Sequence, residues 1–275
     1  MKPAIFTSFD ETIPLTQAIP MIRDAGFEAV SFGARPQQSD CTTAHARDAI
    51  RKLIDASGMT IDSLHAPFPE ADRLFSLDET ERSESIRQCR ISLDAAADLD
   101  GKIVVIHLIQ PYGIPPGEVR NKMIERGRRS VGALADYAAD RGVKLALENG
   151  QKRDYDQVLA GLLAEFNDPH VGLCYDSGHE NVQGTCFKLL EQFADRLLTV
   201  HIHDNRGSDT HTLPYEGTID WDRFREILHG LHYAGNLLLE VHMHHSQFKD
   251  HKVFLAEARK RAHKLLQPPL EDHKQ

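Results

Sequence analysis

Six hydrophobic segments of the chain each end on a side chain that can bind a metal ion. The segments are SLHAP (63–67), VVIHL (104–108), LALENG (145–150), GLCYDSGH (172–179), TVHIHD (199–204) and LLLEVH (237–242). The donors that they carry are His65, His107, Glu148, Asp176, His201 and Glu240. Carboxylates and imidazoles are costly to bury, so their repetition at the ends of apolar segments is difficult to explain by packing. Side chains of these types that converge on one point form a metal site.

Four of the donors comprise three carboxylates and one imidazole: Glu148, Asp176, His201 and Glu240. Such a set suits a divalent ion of intermediate hardness, such as manganese, magnesium, cobalt or zinc. His179 follows Asp176 by three residues, and Asp209 and His211 lie in the loop after the TVHIHD segment. Two ligands one residue apart can bind the same ion, although Asp-Thr-His alone is equally typical of a surface loop.

Other histidines lie close to these donors. His203 follows His201 by two residues, and we expect it to point away from the barrel axis if His201 points inward. Most of the histidines beyond Glu240 are interpreted as loop or solvent-exposed residues: His242, His244 and His245.

Short apolar segments alternate with longer segments of helical periodicity along the chain. The predicted strands are Ala4–Phe9, Ala29–Phe32, Thr60–Leu64, Ile103–Leu108, Val143–Leu147, Val171–Tyr175, Leu198–Ile202 and Leu237–Val241. Most are near-continuous hydrophobic runs, as expected of parallel strands that are covered on both faces. The predicted helices are Leu15–Ala25, Thr42–Ser57, Asp78–Leu99, Glu118–Arg141, Asp154–Phe166, Phe187–Phe193, Trp221–Tyr233 and Phe248–Leu266. Pro20 predicts a kink in the first helix or a late start of it.

Eight strand-then-helix units predict an α/β protein with a closed (β/α)8 TIM barrel as a single domain over residues 1–266. A polar tail is predicted at 267–275. An open doubly wound sheet would typically carry a glycine-rich turn after its first strand, whereas this chain has SFDET there. In a barrel of this kind the active site lies at the carboxyl ends of the strands, where the six donors are predicted.

The composition favours a globular protein that acts on a small molecule. Hydrophobic residues make up 41% and charged residues 27% of the 275 residues. The net charge of −9 disfavours nucleic acid as a partner, because such proteins normally present a basic face. No apolar run has the length of a membrane span and the start lacks a secretory pattern, so a cytoplasmic location is expected. The four cysteines show no paired spacing typical of a disulfide framework or a thiolate zinc site.

Taken in order, these motifs resemble the xylose isomerase-like barrel superfamily. The resemblance rests on His65-Ala-Pro, His107, Leu147-Glu148-Asn149, Asp176-Ser-Gly-His179, His201-Ile-His-Asp204, Asp209-Thr-His211, Glu216-Gly-Thr-Ile-Asp-Trp221 and Glu240. It covers essentially the whole chain. The superfamily includes sugar-phosphate isomerases and epimerases, ketose 3-epimerases, inositol-catabolic enzymes and endonuclease IV. The motifs are specific for the superfamily but not for one substrate.

The resemblance implies a metal-dependent isomerase or epimerase of a sugar, sugar phosphate or polyol derivative. In that reaction Glu148 and Glu240 exchange a proton through a metal-stabilised enediolate. The shared ion is held by Glu148, Asp176, His201 and Glu240, with zinc or manganese favoured over magnesium or cobalt. The candidate substrate contacts are His65, His107, His179, Arg206 and Trp221. For Trp221 a role as anchor at a helix start is equally compatible, and a homodimer is common among such barrels.

Alternative functions stay open. Endonuclease IV binds three zinc ions, and the positions that match its remaining ligands are His65, His107, His179, Asp209 and His211. A multinuclear phosphoesterase is therefore the main alternative, although the acidic chain and the segment LPYEGTIDW (213–221) resemble the sugar-enzyme branch more. A dehydratase would use the same enolate to expel a hydroxyl group. A non-catalytic barrel would be expected to have lost a donor, and every donor is present.

Overall fold

The computed structural model describes residues 1–33 and 35–268, and within them the chain forms eight parallel strands. The strands are β1 (Pro3–Phe6), β2 (Ala29–Phe32), β3 (Thr60–His65), β4 (Ile103–Ile106), β5 (Lys144–Glu148), β6 (Val171–Asp176), β7 (Leu197–His201) and β8 (Leu237–Leu239). Consecutive strands are neighbours, and β1 pairs with β8. A parallel bridge between Ile202 and Leu239 joins the ends of β7 and β8. The predicted (β/α)8 barrel is confirmed.

Helices connect the strands on the outside of the barrel. Among the described residues they are α1 (Leu15–Asp24), α2 (Ala44–Ser57), α3 (Glu79–Asp98), α4 (Glu118–Asp140), α5 (Arg153–Glu165), α6 (Ser177–Val182), α7 (Lys188–Gln192), α8 (Trp221–Gly230) and α9 (His251–Leu266). Side-chain caps fix several starts, because the Asp78 carboxylate accepts from the backbone N–H of Thr80 and the Asp250 carboxylate from that of Val253. These caps place the helix starts one and three residues after the predicted ones.

The structure departs from the predicted elements at several points. Strands β4 and β8 each end two residues earlier than predicted, and α8 ends three residues earlier. The first strand was predicted to reach Phe9 but ends at Phe6, since residues 7–9 form a 3-10 turn that directs Ser8 toward the barrel mouth. Helix α6 was not predicted, because it has only six residues and follows β6 directly. Helix α1 does not start late: it begins at Leu15 and runs through Pro20, and burial of its apolar face offsets the backbone bond that proline cannot make.

Alternation along the strands separates two apolar regions. The large core lies between the strands and the helices, and Tyr155 and Phe224 are buried in it. Two small clusters fill the barrel interior, and their members are Ala4, Phe6, Ala29, Leu238, Val105, Ala146 and Cys174. Because side chains two residues apart share a face, the residues that follow Ala146, Cys174 and Leu238 by two also point inward.

The described part of the chain contains no helix that is long and apolar enough to cross a membrane. Helix α9 ends at Leu266, and residues 269–275 of the predicted polar tail lie outside the described residues.

Candidate metal centre

The inward positions at the ends of β5 to β8 carry a compact group of four donors. This first donor group consists of Glu148, Asp176, His201 and Glu240. Each member offers a ligand atom within 4.8 Å of the ligand atoms of the others, and all four are buried. Nδ1 of His201 lies 3.1 Å from Oε1 of Glu148 and 2.9 Å from Oε2 of Glu240. The strand-end positions proposed from sequence therefore converge.

Two further predicted donors contact the first group through Glu148. Nε2 of His65 and Nε2 of His107 lie 3.1 Å and 3.2 Å from the same oxygen, Oε2 of Glu148. Nδ1 of His65 donates to the carbonyl of Ala66 at 2.7 Å. Nδ1 of His107 lies 3.2 Å from Oδ1 of Asp72. The contacts at Nδ1 therefore orient both imidazoles so that Nε2 faces the Glu148 carboxylate. Metal-ligating histidines are usually oriented in the same way, through the ring nitrogen that does not bind the metal.

A second group of donors lies beside the first, nearer the loops. This second donor group consists of His179, His203, Asp209 and His211, again with ligand atoms within 4.8 Å of one another. Oδ1 of Asp209 lies 3.3 Å from Nε2 of His211 and 3.7 Å from Nε2 of His203. This oxygen is buried and has no hydrogen-bond partner among the described residues. A buried carboxylate oxygen surrounded by ring nitrogens fits a shared cation.

Backbone carbonyls orient the imidazoles of the second group. Nδ1 of His179 lies 2.8 Å from the carbonyl oxygen of Asn149, and Nδ1 of His211 lies 2.9 Å from that of Glu240. A carbonyl oxygen only accepts, so Nδ1 carries the proton in each ring. In the neutral tautomer this leaves Nε2 unprotonated and turned toward Asp209. The arrangement matches the donor set that zinc prefers.

The prediction that His203 points away from the axis is wrong. Side chains two residues apart along a strand share a face, so His203 continues the inward direction of His201. Nε2 of His203 lies 3.1 Å from the Asp176 carboxylate, which links the two donor groups. Gly178 makes this position available, because a Cβ atom there would overlap the His203 ring. Correct use of the two-residue period would have identified His203 from the sequence.

Asp204 is a site residue that the sequence did not reveal as one. Its carboxylate accepts hydrogen bonds from the backbone N–H groups of 205, 215, 218 and 219 and from Nε1 of Trp221. Its backbone pairs with that of Thr212 in both directions, at 2.8 Å and 3.0 Å. These bonds close the loop that carries Asp209 and His211. Asp204 therefore positions the second donor group without belonging to it.

The two donor groups hold charge of both signs. Burial raises the pKa of Glu148, but His201 and His107 outweigh burial and hold this pKa well below its ordinary value. The pKa of Glu240 is also lowered, because His201 outweighs the effect of burial. Burial lowers the pKa of His211, but Asp209 outweighs it and raises the pKa to about 9. The carboxylates thus stabilise positive charge on the neighbouring imidazoles. A bound divalent ion would supply positive charge in place of those protons.

A cavity of about 380 Å³ opens above both groups. Glu148 and Glu240 line it from the first group, and residues of the second group line it as well: His179, Asp209 and His211. His107 lines it, whereas His65 lies below and is 1% exposed. The cavity is also lined by residues that were not predicted as contacts from the sequence, and these include Ser8, Glu11, Phe68, Gln110, Tyr112 and Gln151. Polar and aromatic residues of this kind have no spacing that would distinguish them in the sequence.

Two predicted substrate contacts lie elsewhere. The indole of Trp221 is 3% exposed and donates to Oδ2 of Asp204 at 2.7 Å, so Trp221 anchors the start of α8. Arg206 lies on the exposed surface after Asn205. Neither Trp221 nor Arg206 is among the described residues that line the cavity. One basic residue does line it: Arg35, whose Nε lies 2.8 Å from Glu11 and whose guanidinium lies 4.3 Å from the Phe68 ring centroid.

Fold and site together define a (β/α)8 barrel with clustered carboxylates and imidazoles at the carboxyl ends of its strands. The family described as xylose isomerase-like TIM barrel matches residues 19–265. The chain belongs to this family, and the resemblance inferred from its motifs is confirmed.

Proteins similar to this chain include a sugar epimerase. An uncharacterized protein, y4fM of Sinorhizobium fredii, is 28% identical over 259 residues, which cover 86% of this chain and 83% of that protein. A ketose 3-epimerase of Arthrobacter globiformis is 23% identical over 246 residues, which cover 86% and 80%. The crystal structure of an IOLI protein with a bound zinc atom shares the fold, with a TM-score of 0.77 at 19% identity over 97% of this chain and 96% of that chain.

Proposed function

We propose that the protein is a divalent-metal-dependent isomerase or epimerase of a sugar or sugar derivative. One observation carries the proposal: Glu148 and Glu240 both line the cavity and both contact Nδ1 of His201. Two carboxylates that face one cavity can remove a proton from a substrate carbon and return a proton at the other face or at the neighbouring carbon. The similarity to a ketose 3-epimerase supports this class of reaction.

The residues proposed to hold the ion are those of the first donor group. A bound divalent ion would polarise the carbonyl of the substrate and acidify the adjacent C–H bond. The mixed set of carboxylate oxygens and one imidazole nitrogen suits zinc or manganese. The zinc atom in the IOLI structure supports zinc.

The two proposed acid–base residues are held differently. Both oxygens of Glu148 contact imidazoles, and the side chain is 1% exposed. Glu240 contacts His201 through Oε2 and is 7% exposed. Glu148 is therefore the more rigidly positioned group and Glu240 the one with easier access to solvent. A fixed position of the acid–base group relative to the substrate is what directs a proton to one face of a carbon.

The cavity suits a small carbohydrate. Its volume of about 380 Å³ lies in the range of small-molecule sites. Phe68 and Tyr112 provide aromatic surface for the C–H groups of a sugar, and Gln110 and Gln151 provide amides for its hydroxyl groups. We assign His107 and His179 as substrate contacts because both line the cavity, whereas buried His65 acts by positioning Glu148.

Proton exchange with solvent tests the proposal. Ketoses, aldoses and their phosphates are incubated with the protein in D2O, and NMR follows the loss of C–H signals next to the carbonyl. We expect incorporation of deuterium by the wild type and none by Glu148→Gln or Glu240→Gln. Glu165→Gln, which changes an exposed glutamate on α5, is the matched control and is expected to exchange normally. Exchange that persists in both cavity variants contradicts the acid–base assignment.

The second donor group favours a second candidate function. Three imidazoles and one carboxylate beside a carboxylate-rich group can hold two or more ions close together. Multinuclear centres of this kind activate water and stabilise the leaving oxygen in phosphoester hydrolysis. A zinc phosphoesterase is therefore the alternative.

Metal stoichiometry combined with a cleavage assay separates the two candidates. The purified protein is subjected to elemental analysis and then incubated with DNA that contains an abasic site. Cleavage by a protein that holds two or more ions supports the phosphoesterase. Intact DNA excludes the phosphoesterase, whether the protein holds one ion or two, and leaves the isomerase or epimerase.

A further inference from the structure

A stack of five imidazole rings leads from the second donor group to the surface. The ring centroids of His203 and His211 lie 3.9 Å apart with planes 12° apart, and those of His211 and His242 lie 4.6 Å apart at 18°. His244 follows His242 at 5.4 Å and 24°, and His245 follows His244 at 3.8 Å and 45°. His203 is 0% exposed, His242 is half-buried, and the last two rings are exposed. The stack thus spans the full range from core to solvent.

Backbone pairing and a short turn build the outer part of the stack. The N–H of His242 donates to the carbonyl of His211 at 2.8 Å, so the chain beyond β8 lies against the loop of the second group. Alternation then places the His242 ring on the side of Glu240, facing the cavity. A 3-10 turn over Met243–His245 directs the next two rings outward, and Lys249 holds it by donating from Nζ to the carbonyl of His244 at 2.9 Å.

Packing does not account for three neighbouring histidines at the mouth of a metal centre. Within residues 1–33 and 35–268, the ring nitrogens of His242, His244 and His245 make no hydrogen bond or ion pair. Two of the rings are exposed, so they contribute little apolar burial. Imidazole nitrogen is the commonest protein ligand of transition metals. The three rings therefore offer ligand atoms that the fold itself does not use.

We propose that His242, His244 and His245 capture a divalent transition-metal ion at the surface, each imidazole binding it in succession, and that the ion passes along the stack to the second donor group. The inference rests on the proposed metal centre. His203 is fully buried, so an ion that reaches it must first give up most of its hydration shell, which is costly unless protein ligands replace the water. Exposed imidazoles replace water one ligand at a time and hold the ion close to the second group. This raises the effective concentration of the ion there without altering the final site.

Zinc uptake by the metal-free protein tests the proposal. The protein is stripped with a chelator, and stopped-flow mixing with zinc and a fluorescent zinc indicator measures the rate of loading. The test variant is His242→Phe/His244→Gln/His245→Gln, in which phenylalanine preserves the stacked ring against His211 but removes its nitrogen ligands. The matched control is His45→Gln/His232→Gln/His263→Gln, which removes three exposed histidines remote from the cavity.

We expect the test variant to load roughly ten-fold more slowly than the wild type, with the same final zinc content by elemental analysis. The control is expected to load at the wild-type rate. Wild-type loading by the test variant overturns the capture role. A lower final content at an unchanged rate also overturns it, because the three histidines would then only stabilise the bound ion. A wild-type chain that retains no ion instead refutes the metal centre itself, which the wild-type measurement alone reveals.

Discussion

The two donor groups are positioned by different structural elements. The first lies at the ends of four neighbouring strands, so the hydrogen-bonded barrel fixes its members directly. In the second, only His203 continues a strand, while His179 lies in α6 and Asp209 and His211 lie in a loop tied down by Asp204. The first group has three carboxylates and one imidazole, and the second has the reverse ratio.

This difference indicates a division of tasks. A strand-borne, carboxylate-rich group with two cavity-facing acids is suited to proton transfer at a substrate. A loop-borne, imidazole-rich group is suited to tight binding of zinc, and its geometry depends on how well the loop is closed. Variants that act on one group should therefore leave the other largely intact.

The largest effect is expected from His201→Gln. Nδ1 of His201 lies between Glu148 and Glu240, so its loss removes one ligand and releases both carboxylates. We expect turnover to fall by about 10³-fold, comparable with the loss of an acid–base group, together with loss of one ion per chain. Kinetics and elemental analysis measure both quantities, with His232→Gln as the exposed control. Retained turnover would show that the first group is not the reaction centre.

Asp209→Asn is expected to empty the second group while the first keeps its ion. Oδ1 of Asp209 is the buried oxygen that ring nitrogens surround, and an amide binds zinc more weakly than a carboxylate. We expect the affinity for the second ion to fall by about 10–100-fold. Competition with a chelator measures this affinity, and Asp195→Asn at the opposite end of the barrel is the control. Loss of both ions would show that the groups form a single unit.

Ion binding to the second group should depend more steeply on pH. Asp209 outweighs burial and raises the pKa of His211 to about 9, and Asp176 with Asp209 raises that of His179, whereas the first group contains only the raised pKa of His201. Each protonated imidazole must lose its proton to bind an ion, so affinity rises with pH by up to about ten-fold per proton and pH unit, and for His211 this rise ends near pH 9. Calorimetry in buffers of different ionisation enthalpy counts the protons released. Equal release at both groups would contradict this difference.

The stability of the ion-free protein should fall as the pH rises, whereas the affinity for an ion should rise. The pKa of His211 is raised from 6.5 to about 9 in the folded chain. Its contribution to stability is therefore fully present below pH 6.5 and is lost as the pH rises through 9. The thermal midpoint of the chelated protein should fall over this window. His211→Gln should reduce the fall, and an unchanged slope in that variant would contradict the assignment.

The smallest effect is expected from Trp221→Phe. The change removes one of several donors to the buried Asp204 carboxylate and loosens the loop of the second group. We expect the free energy of unfolding to fall by about 2 kcal/mol and the affinity for the second ion to fall less than ten-fold. Tyr233→Phe, which loses a 2.9 Å hydrogen bond to the carbonyl of Asn236, is the control and should leave the affinity unchanged. Equal effects of both variants on affinity would show that the loop anchor is not specific to the second group.

The first group was predictable from sequence for a physical reason. Apolar runs mark the buried strands, and a donor at the end of each run must lie at the same rim of a parallel barrel. Glu148, Asp176, His201 and Glu240 therefore follow from local pattern and topology together. The fold is predictable on the same basis, apart from the ends of several elements, such as that of β1, and the short helix α6.

The second group was only partly predictable, because tertiary contacts place it. The outward orientation predicted for His203 came from an error in applying the two-residue strand period. The sequence itself, with His203 two residues after His201, indicates the inward orientation. Asp204 was not recognised, since its role depends on N–H groups up to 15 residues away that converge only in the folded chain. The same convergence directs the Trp221 indole to Asp204 and not to the cavity, as expected of an anchor at a helix start.

Anomalous diffraction from crystals grown with zinc would show where the protein holds its ion. Data collected on both sides of the zinc absorption edge locate the ion without assumptions about the protein. We predict an anomalous peak within bonding distance of Glu148, Asp176, His201 and Glu240. A fully loaded crystal with no peak among these four side chains would contradict it.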